Sequence, residues 1–185
     1  MSDIQSPVPP RKRGLWNEIV ELGQSILLGM ALALALQIVI QPTLVYGQSM
    51  EPSLHDNERV IVDKVSYHIG LPSRGDIVVF PVESEPLPLI KRVIGLPGDA
   101  IEVRDGRVWV NGVALNEPYV SGPTAGNTPV VHVPEGSVFV MGDNRAPGGS
   151  LDSRRLGPIP LSQLVGRARL AIWPPAAWGI LPGLR

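Results

Sequence analysis

An uncharged apolar run near the start of the chain constrains its fold more than any other feature. Residues 22–40 read LGQSILLGMALALALQIVI, with two glutamines and one serine as the only polar members. As a helix that rises about 1.5 Å per residue, this run measures roughly 28 Å, which is close to the hydrocarbon thickness of about 30 Å in a bilayer. We therefore predict a transmembrane anchor at residues 15–41, with Pro42 stopping the helix just beyond it.

Basic residues flank the run on one side only. Residues 11–13 are Arg-Lys-Arg, whereas the first basic residue after the run is Arg59. Because positive charge accumulates on the cytoplasmic side of a membrane, residues 1–14 are predicted to form a cytoplasmic basic tail, and residues 42–185 an extracytoplasmic domain. A cleaved secretory signal is the alternative, but its apolar core usually has only about 7–15 residues. A buried helix of a soluble protein would carry a polar face, which this run lacks.

The composition of the 185 residues excludes several classes of protein. The chain has 20 glycines and 20 prolines, about 22% of its residues against a usual ~12%, and this excludes an all-helical bundle because both residues break helices. Sixteen basic and 17 acidic residues give a net charge of −1, whereas a nucleic-acid-binding protein would show a basic excess. There is no cysteine, so disulfides, thiolate zinc sites and a thiol nucleophile are impossible. The three histidines are far apart, so no metal site is expected.

Short β-branched segments, bounded by glycine, proline or acidic residues, follow from residue 58. The predicted strands are residues 59–63, 76–82, 89–94, 101–103, 107–110, 113–115, 130–133, 137–141 and 164–173. Asp105-Gly106 and Asn111-Gly112 are preferred two-residue hairpin turns, and residues 116–129 are predicted to form an exposed loop. Because no helical pattern separates the strands, we predict a mostly β fold. It comprises an antiparallel β-sheet catalytic domain with a small β-hairpin insertion at about residues 100–133, preceded by the transmembrane helix.

Ser49 is a candidate nucleophile in the segment after the apolar run. A serine hydroxyl is weakly nucleophilic and needs a base, which is usually a histidine. None of His55, His68 and His132 carries a supporting motif, and no Gly-x-Ser-x-Gly elbow surrounds Ser49. A lysine serves instead if its amine is uncharged, which requires a lowered pKa.

Lys91 is the candidate base. Alternation along the predicted strand at residues 89–94 places Leu89, Lys91 and Val93 on one face and Arg92 on the other. Apolar neighbours on the face of Lys91 would favour the uncharged amine. The alternative is a solvated lysine on an exposed strand, and the local pattern alone favours that alternative.

Four stretches of the chain favour Lys91 as a base over a solvated lysine, because they match, in the same order, the motifs of one family. They read SMEPSL at 49–54, RGDIVVF at 74–80, KRVIGLPGD at 91–99, and MGDNR with SLDSR at 141–145 and 150–154. Together with the anchor before them, these stretches resemble bacterial type I signal peptidases, also called leader peptidases, which are membrane serine proteases with a Ser/Lys dyad. The resemblance covers roughly residues 15–175.

The resemblance implies that Ser49 is the nucleophile and Lys91 the general base, with no metal and no organic cofactor. The backbone N–H of Ser49 is the implied oxyanion donor. Some relatives add a hydroxyl two residues before the nucleophile, but Gly47 occupies that position here. A second donor would therefore have to come from the backbone or be missing.

Further residues are implied to brace the dyad or to bind the substrate. The resemblance implies that Arg92 pairs with Asp143, that Asp152 pairs with Arg154, and that Ser150 hydrogen-bonds the lysine. Four residues, 146–149, lie between Arg145 and Ser150, where relatives usually have two. The substrate-pocket walls are expected to include Met50, Ile77 and Val79.

The implied activity is the removal of N-terminal signal peptides from exported preproteins. The implied location is the bacterial cell membrane, crossed once, with a cytoplasmic N-terminus and the catalytic domain outside the cytoplasm. The implied partners are preprotein substrates and membrane lipid, with no nucleic acid, and the sequence leaves the oligomeric state open. Two alternatives remain. One is a self-cleaving repressor-type Ser/Lys protease, which would have a soluble N-terminal segment. The other is a membrane-tethered β domain that binds peptides without catalysis.

Overall fold

The computed structural model describes residues 14–181 and Gly183. The predicted tail at residues 1–14 therefore lies outside the described residues, except for Gly14. The chain divides into a small unit, Met1–Ile38, and a larger unit, Val39–Arg185. The predicted domain boundaries at residues 15–41 and 42–185 stay predictions.

Helix α1, Leu15–Val39, contains the predicted apolar run except for its last residue, Ile40. Its segment Trp16–Leu34 is long and apolar enough to cross a membrane, and none of this segment is buried against the rest of the protein. Large apolar side chains such as Leu28 are therefore exposed. A surface covered with leucine and isoleucine is stable in lipid but unfavourable in water, so this helix is consistent with membrane anchoring.

The larger unit is built from antiparallel strands, which confirms the mostly β prediction. The strands are β1 (Ile40–Leu44), β2 (Arg59–Asp63), β3 (Ile77–Phe80), β4 (Leu89–Gly95), β5 (Ala100–Arg104), β6 (Arg107–Val110), β7 (Val113–Ala114), β8 (Thr128–His132), β9 (Ser137–Met141), β10 (Ile159–Pro160), β11 (Gly166–Trp173) and β12 (Gly179–Ile180). Two short helices, α2 (Ser66–Ile69) and α3 (Ser153–Leu156), lie between strands.

The strands of the described residues form two sheets. The larger sheet has eight strands, in the order β1-β2-β11-β3-β4-β9-β10, with β12 paired to β11. The smaller sheet has four strands in the order β7-β6-β5-β8. All strands of the smaller sheet lie between residues 100 and 132, the range where the small insertion is predicted.

Strands β3 and β4 lie at the centre of the larger sheet and are buried on both faces. Ile77 and Val79 pack into a hydrophobic cluster on one face, together with Met50. Val78 and Val93 pack into a second cluster on the other face. Apolar residues on consecutive positions are typical of such doubly covered strands, because both faces exclude water.

The two predicted hairpin turns are confirmed. Asp105 and Gly106 both have positive φ, at 51° and 72°, and so do Asn111 and Gly112, at 53° and 78°. This conformation belongs to the type I′ turn, which asparagine, aspartate and glycine adopt with little strain. The turns connect β5 to β6 and β6 to β7.

Strand β1 was not predicted. The helix ends at Val39, and Pro42 lies inside β1, where it faces Ile61 of β2. Proline has no N–H to donate, but β1 is an edge strand, where one side makes no ladder hydrogen bonds. Pro42 therefore fits an edge strand, and it also prevents the helix from continuing.

Candidate active site

Ser49 lies in the loop between β1 and β2, and its side chain is half-buried. The loop is closed at its base by two backbone hydrogen bonds, from Val45 N–H to Glu58 O and from Asn57 N–H to Val45 O. The side chains of Met50 and Leu54 anchor the loop in the core. Buried apolar anchors on a short closed loop hold the serine in one place.

Lys91 lies on β4 with its side chain almost fully buried at 2% exposure. Its Nζ donates to Ser49 Oγ at 2.7 Å and to the carbonyl of Ile90 at 2.8 Å. The structure therefore brings together two residues that are 42 positions apart in sequence. This is the contact that a nucleophile and its base require.

Burial lowers the pKa of Lys91 from 10.5 to about 8, although the carboxylates of Asp152, Asp143 and Glu85 act in the opposite direction. The physical cause is the loss of water around the charged ammonium. With a pKa of about 8, roughly one amine in ten is neutral at pH 7, against about one in 3,000 for an ordinary lysine. The site thus provides a base near neutral pH.

The implied ion pair between Arg92 and Asp143 is present and fully buried. Arg92 Nε donates to Asp143 Oδ1 at 2.8 Å and Nη2 to Oδ2 at 2.6 Å. The guanidinium also donates to Ser53 Oγ at 3.2 Å and lies 4.0 Å from the ring centroid of Tyr119. Because the guanidinium compensates the Asp143 charge, it limits how far that carboxylate can raise the pKa of the adjacent lysine.

The implied pair of Asp152 and Arg154 is also present, at 2.8 Å between Oδ2 and Nη2. Asp152 accepts from Gly142 N–H at 3.1 Å and caps α3 by accepting from Arg154 N–H. Burial alone would raise the pKa of Asp152, but the ion pair with Arg154 and the bond from Gly142 N–H hold it below its usual value. Asp152 thus links α3 to the strand end beside Ser49.

Gly142 is the point of closest approach between these segments. A Cβ atom at this position would lie 2.3 Å from both Ser49 O and Ser150 Oγ. No side chain fits there, so glycine is required by close backbone packing.

The structure does not show the implied hydrogen bond between Ser150 and Lys91. Ser150 Oγ is buried and makes no hydrogen bond of ordinary geometry with any described residue. Both hydrogen bonds found for Lys91 Nζ go elsewhere, to Ser49 and Ile90. The four residues 146–149 separate Ser150 from Arg145, whereas the resemblance implied a spacing of two.

The expected pocket residues are core residues in this structure. Met50, Ile77 and Val79 have exposed fractions of 1%, 2% and 3% and belong to one hydrophobic cluster. Ile77 faces Arg92 across the β3–β4 pair, on the sheet face opposite to Lys91. Contact of these residues with a substrate stays a prediction.

The histidines do not replace the lysine. His55 is exposed and its Nδ1 lies 3.3 Å from Glu58, and His132 is exposed on β8. His68 is in α2. Among the described residues, no cluster of histidine and carboxylate side chains could hold a metal ion.

The sequence alone did not identify two further parts of the site. Arg145 forms a buried bidentate pair with Glu117 and donates from Nε to Gly142 O at 2.6 Å. Asn144 donates from its backbone N–H to Ser49 O at 3.1 Å. Both residues belong to the MGDNR motif, but nothing in the motif indicates their partners. Glu117, the partner of Arg145, lies in a segment that was predicted to be an exposed loop.

Known proteins resemble this chain over most of its length. The sequence model of the family described as signal peptidase, peptidase S26, matches residues 19–173. A probable signal peptidase I-1 of a Synechocystis species is 40% identical over 185 residues, which cover 95% of this chain and 91% of that protein. Signal peptidase I T of Bacillus subtilis is 38% identical over 170 residues, covering 85% of this chain and 87% of that protein. Signal peptidase I of Bacillus amyloliquefaciens is 37% identical, covering 94% of this chain and 96% of that protein.

Proposed function

This chain belongs to the peptidase S26 family of signal peptidases, and from this premise we propose that Ser49 is its nucleophile and Lys91 its general base. It acts as a signal peptidase I and removes signal peptides from preproteins. The observation that supports our assignment of the two residues is the 2.7 Å hydrogen bond between Lys91 Nζ and Ser49 Oγ. The low exposure of the amine supports its role as a base, because burial favours the neutral form.

The first step is attack of Ser49 Oγ on the scissile carbonyl carbon. Neutral Lys91 accepts the hydroxyl proton as the new C–O bond forms. The carbonyl oxygen becomes an oxyanion, to which the Ser49 N–H donates. The C–N bond then breaks, and the ammonium of Lys91 returns the proton to the leaving amine.

The second step is hydrolysis of the acyl-enzyme. Neutral Lys91 takes a proton from a water molecule, which attacks the ester carbonyl. The ester C–O bond breaks, the Lys91 ammonium returns its proton to Ser49 Oγ, and the signal peptide leaves with a new carboxylic acid, which loses its proton to solvent. The Arg92–Asp143 and Asp152–Arg154 pairs act as buried braces around the dyad, and Ser150 lies beside it.

We further propose that α1 anchors the enzyme in the bacterial cell membrane and contacts lipid, with the N-terminus in the cytoplasm and the β unit outside it. The basic residues at 11–13 support this orientation. A signal peptide enters the same membrane, so the anchor keeps enzyme and substrate together. Protease treatment of spheroplasts should digest the β unit, and full protection of that unit would contradict the orientation.

Cleavage of a synthetic preprotein by purified enzyme in detergent tests the dyad. We expect Ser49→Ala and Lys91→Ala each to lower kcat by at least about 10³-fold, because each removes a reacting group. Lys64→Ala removes another lysine of the same chain and serves as the control, with activity close to wild type. Full activity of Lys91→Ala would exclude this lysine as the base.

The alternative of a peptide-binding domain without catalysis finds no support. Such a domain would have lost one member of the dyad, whereas both are present and hydrogen-bonded. A self-cleaving repressor-type protease is likewise disfavoured, because family membership and the N-terminal apolar helix both point to a signal peptidase.

A further inference from the structure

The peptide unit between Gln48 and Ser49 is held at its carbonyl and open at its N–H. Gln48 O accepts from Asn144 Nδ2 at 3.1 Å and from Glu51 N–H at 3.2 Å. Ser49 N–H has no hydrogen-bond partner among the described residues. Because a peptide unit is planar and its N–H points away from its C=O, fixing the carbonyl also fixes the direction of the N–H.

Asn144 also holds the next peptide unit. Its backbone N–H donates to Ser49 O at 3.1 Å. One residue therefore bonds to the carbonyl before the nucleophile and to the carbonyl after it. No other described side chain donates to either carbonyl.

The loop at residues 146–149 fixes the side chain of Asn144. Asn144 Oδ1 accepts from Ala146 N–H at 3.2 Å, so the other end of the amide, Nδ2, faces Gln48. Gly149 packs directly on this amide, since a Cβ at position 149 would lie 2.4 Å from Oδ1. A backbone bond from Gly149 N–H to Ala146 O closes the loop.

We propose that Asn144 is a positioning residue that directs the Ser49 N–H at the oxyanion, and that residues 146–149 exist in this chain to orient its amide. The inference rests on the proposed function, because the oxyanion forms only when Ser49 attacks a carbonyl. It gives a role to the four residues between Arg145 and Ser150. Gly47 has no hydroxyl that could donate to the oxyanion. Stabilisation of the oxyanion therefore depends more strongly on the Ser49 N–H.

The physical effect is alignment and polarisation. The two donors on Gln48 O draw electron density toward the carbonyl, which makes the N–H of the same peptide a stronger donor. Loss of a whole oxyanion donor costs about 10²–10³-fold in kcat. Loss of Asn144 leaves the N–H in place but free to turn, so we expect a smaller loss, about 10- to 100-fold.

The test compares Asn144→Ala with wild type in cleavage of a synthetic signal peptide. We expect kcat to fall about 10- to 100-fold, with KM within about threefold and the acid limb of the pH profile unmoved, because Lys91 keeps its surroundings. The Ki of a peptide aldehyde, which forms a tetrahedral adduct with Ser49, should rise in parallel with the loss of kcat. The Kd of a peptide with a reduced scissile bond should stay unchanged, because this peptide has no carbonyl to receive the N–H.

Two glycine variants separate orientation from general packing. Gly149→Ala places a methyl against the Asn144 amide and should reproduce much of the same loss. Gly70→Ala adds the same methyl group away from the site, where its nearest neighbour would be Ser66 O at 3.7 Å, so it should match wild type. Asn144→Ser replaces Asn144→Ala if the latter does not fold, and the same kcat and Ki results are expected.

Several outcomes would overturn the proposal. It is wrong if the position 144 variant keeps kcat within threefold, or if its affinities for the aldehyde and for the reduced peptide fall equally. The role of the loop is wrong if Gly149→Ala behaves like Gly70→Ala and keeps wild-type activity. A wild-type enzyme that cleaves no signal peptide would contradict the proposed function instead, which keeps the two failures distinct.

Discussion

Replacing the buried lysine by methionine should make the protein more stable near neutral pH while abolishing its activity. The pKa of Lys91 lies at about 8 instead of 10.5 because the amine is buried, and this displacement corresponds to about 3 kcal/mol against the charged form. Lys91→Met keeps a side chain of similar length and removes that cost. It also removes the hydrogen bonds to Ser49 and Ile90, which contribute about 1 kcal/mol each. The net gain in unfolding free energy is about 1 kcal/mol at pH 6.5.

The sign of the pH dependence follows from the lowered pKa. Between about pH 8 and 10.5 the unfolded chain binds a proton at Lys91 that the folded chain does not, so the stability of the wild type rises with pH in this window. The methionine variant lacks this rise. Its advantage should therefore shrink by about 2 kcal/mol between pH 6.5 and 9.5 and change sign.

Urea unfolding of the detergent-solubilised protein, followed by tryptophan fluorescence at both pH values, measures this difference. Lys64→Met is the matched control for the loss of a lysine and should show no comparable change between the two pH values. An advantage of Lys91→Met that is independent of pH would refute the reasoning, because it would mean that the folded and unfolded chains bind the proton equally.

Three further substitutions follow from the packing around the site. Gly142→Ala should lower kcat more than about 100-fold, since its Cβ would lie 2.3 Å from Ser49 O, and single-turnover kinetics would show the loss in the acylation step. Asp143→Asn leaves the fully buried guanidinium of Arg92 without its counter-charge and should cost about 3–5 kcal/mol in urea unfolding; a loss below about 1 kcal/mol would contradict the buried pair. Ser150→Ala should lower kcat less than about tenfold, because this hydroxyl makes no hydrogen bond to the proposed base. A loss of about 10³-fold would contradict this and would support the hydrogen bond that the family resemblance implies.

The strands and turns of the larger unit were largely predictable from local patterns. β2 and β9 lie where β-branched residues run between breakers, and the Asp105 and Asn111 turns follow from the preference of these residues for positive φ. Strand β1 was missed because Pro42 and the preceding apolar helix dominate the local pattern. Its partner, β2, is what makes it a strand, and pairing of that kind is not visible in a local window.

The site was predictable only in part. Alternation along β4 placed Lys91 on one face, but local pattern favoured a solvated lysine, and only the resemblance of the ordered motifs selected Ser49 as its partner. The lowered pKa depends on burial by other parts of the chain, such as β3, whose Val78 is the cross-strand partner of Lys91. The pair of Arg145 with Glu117, 28 residues apart, and the two bonds from Asn144 depend on how separate loops meet, so no spacing rule reveals them.

The most direct test of the account is the pH dependence of kcat/KM for cleavage of a synthetic signal peptide by the wild-type enzyme. The acid limb should report the free enzyme's base, so activity should rise about tenfold per pH unit below about pH 8 and level off above it, where the Lys91 amine is neutral. A limb that continues to rise toward pH 10.5 would contradict the account, because it would show a lysine with the pKa it has in water.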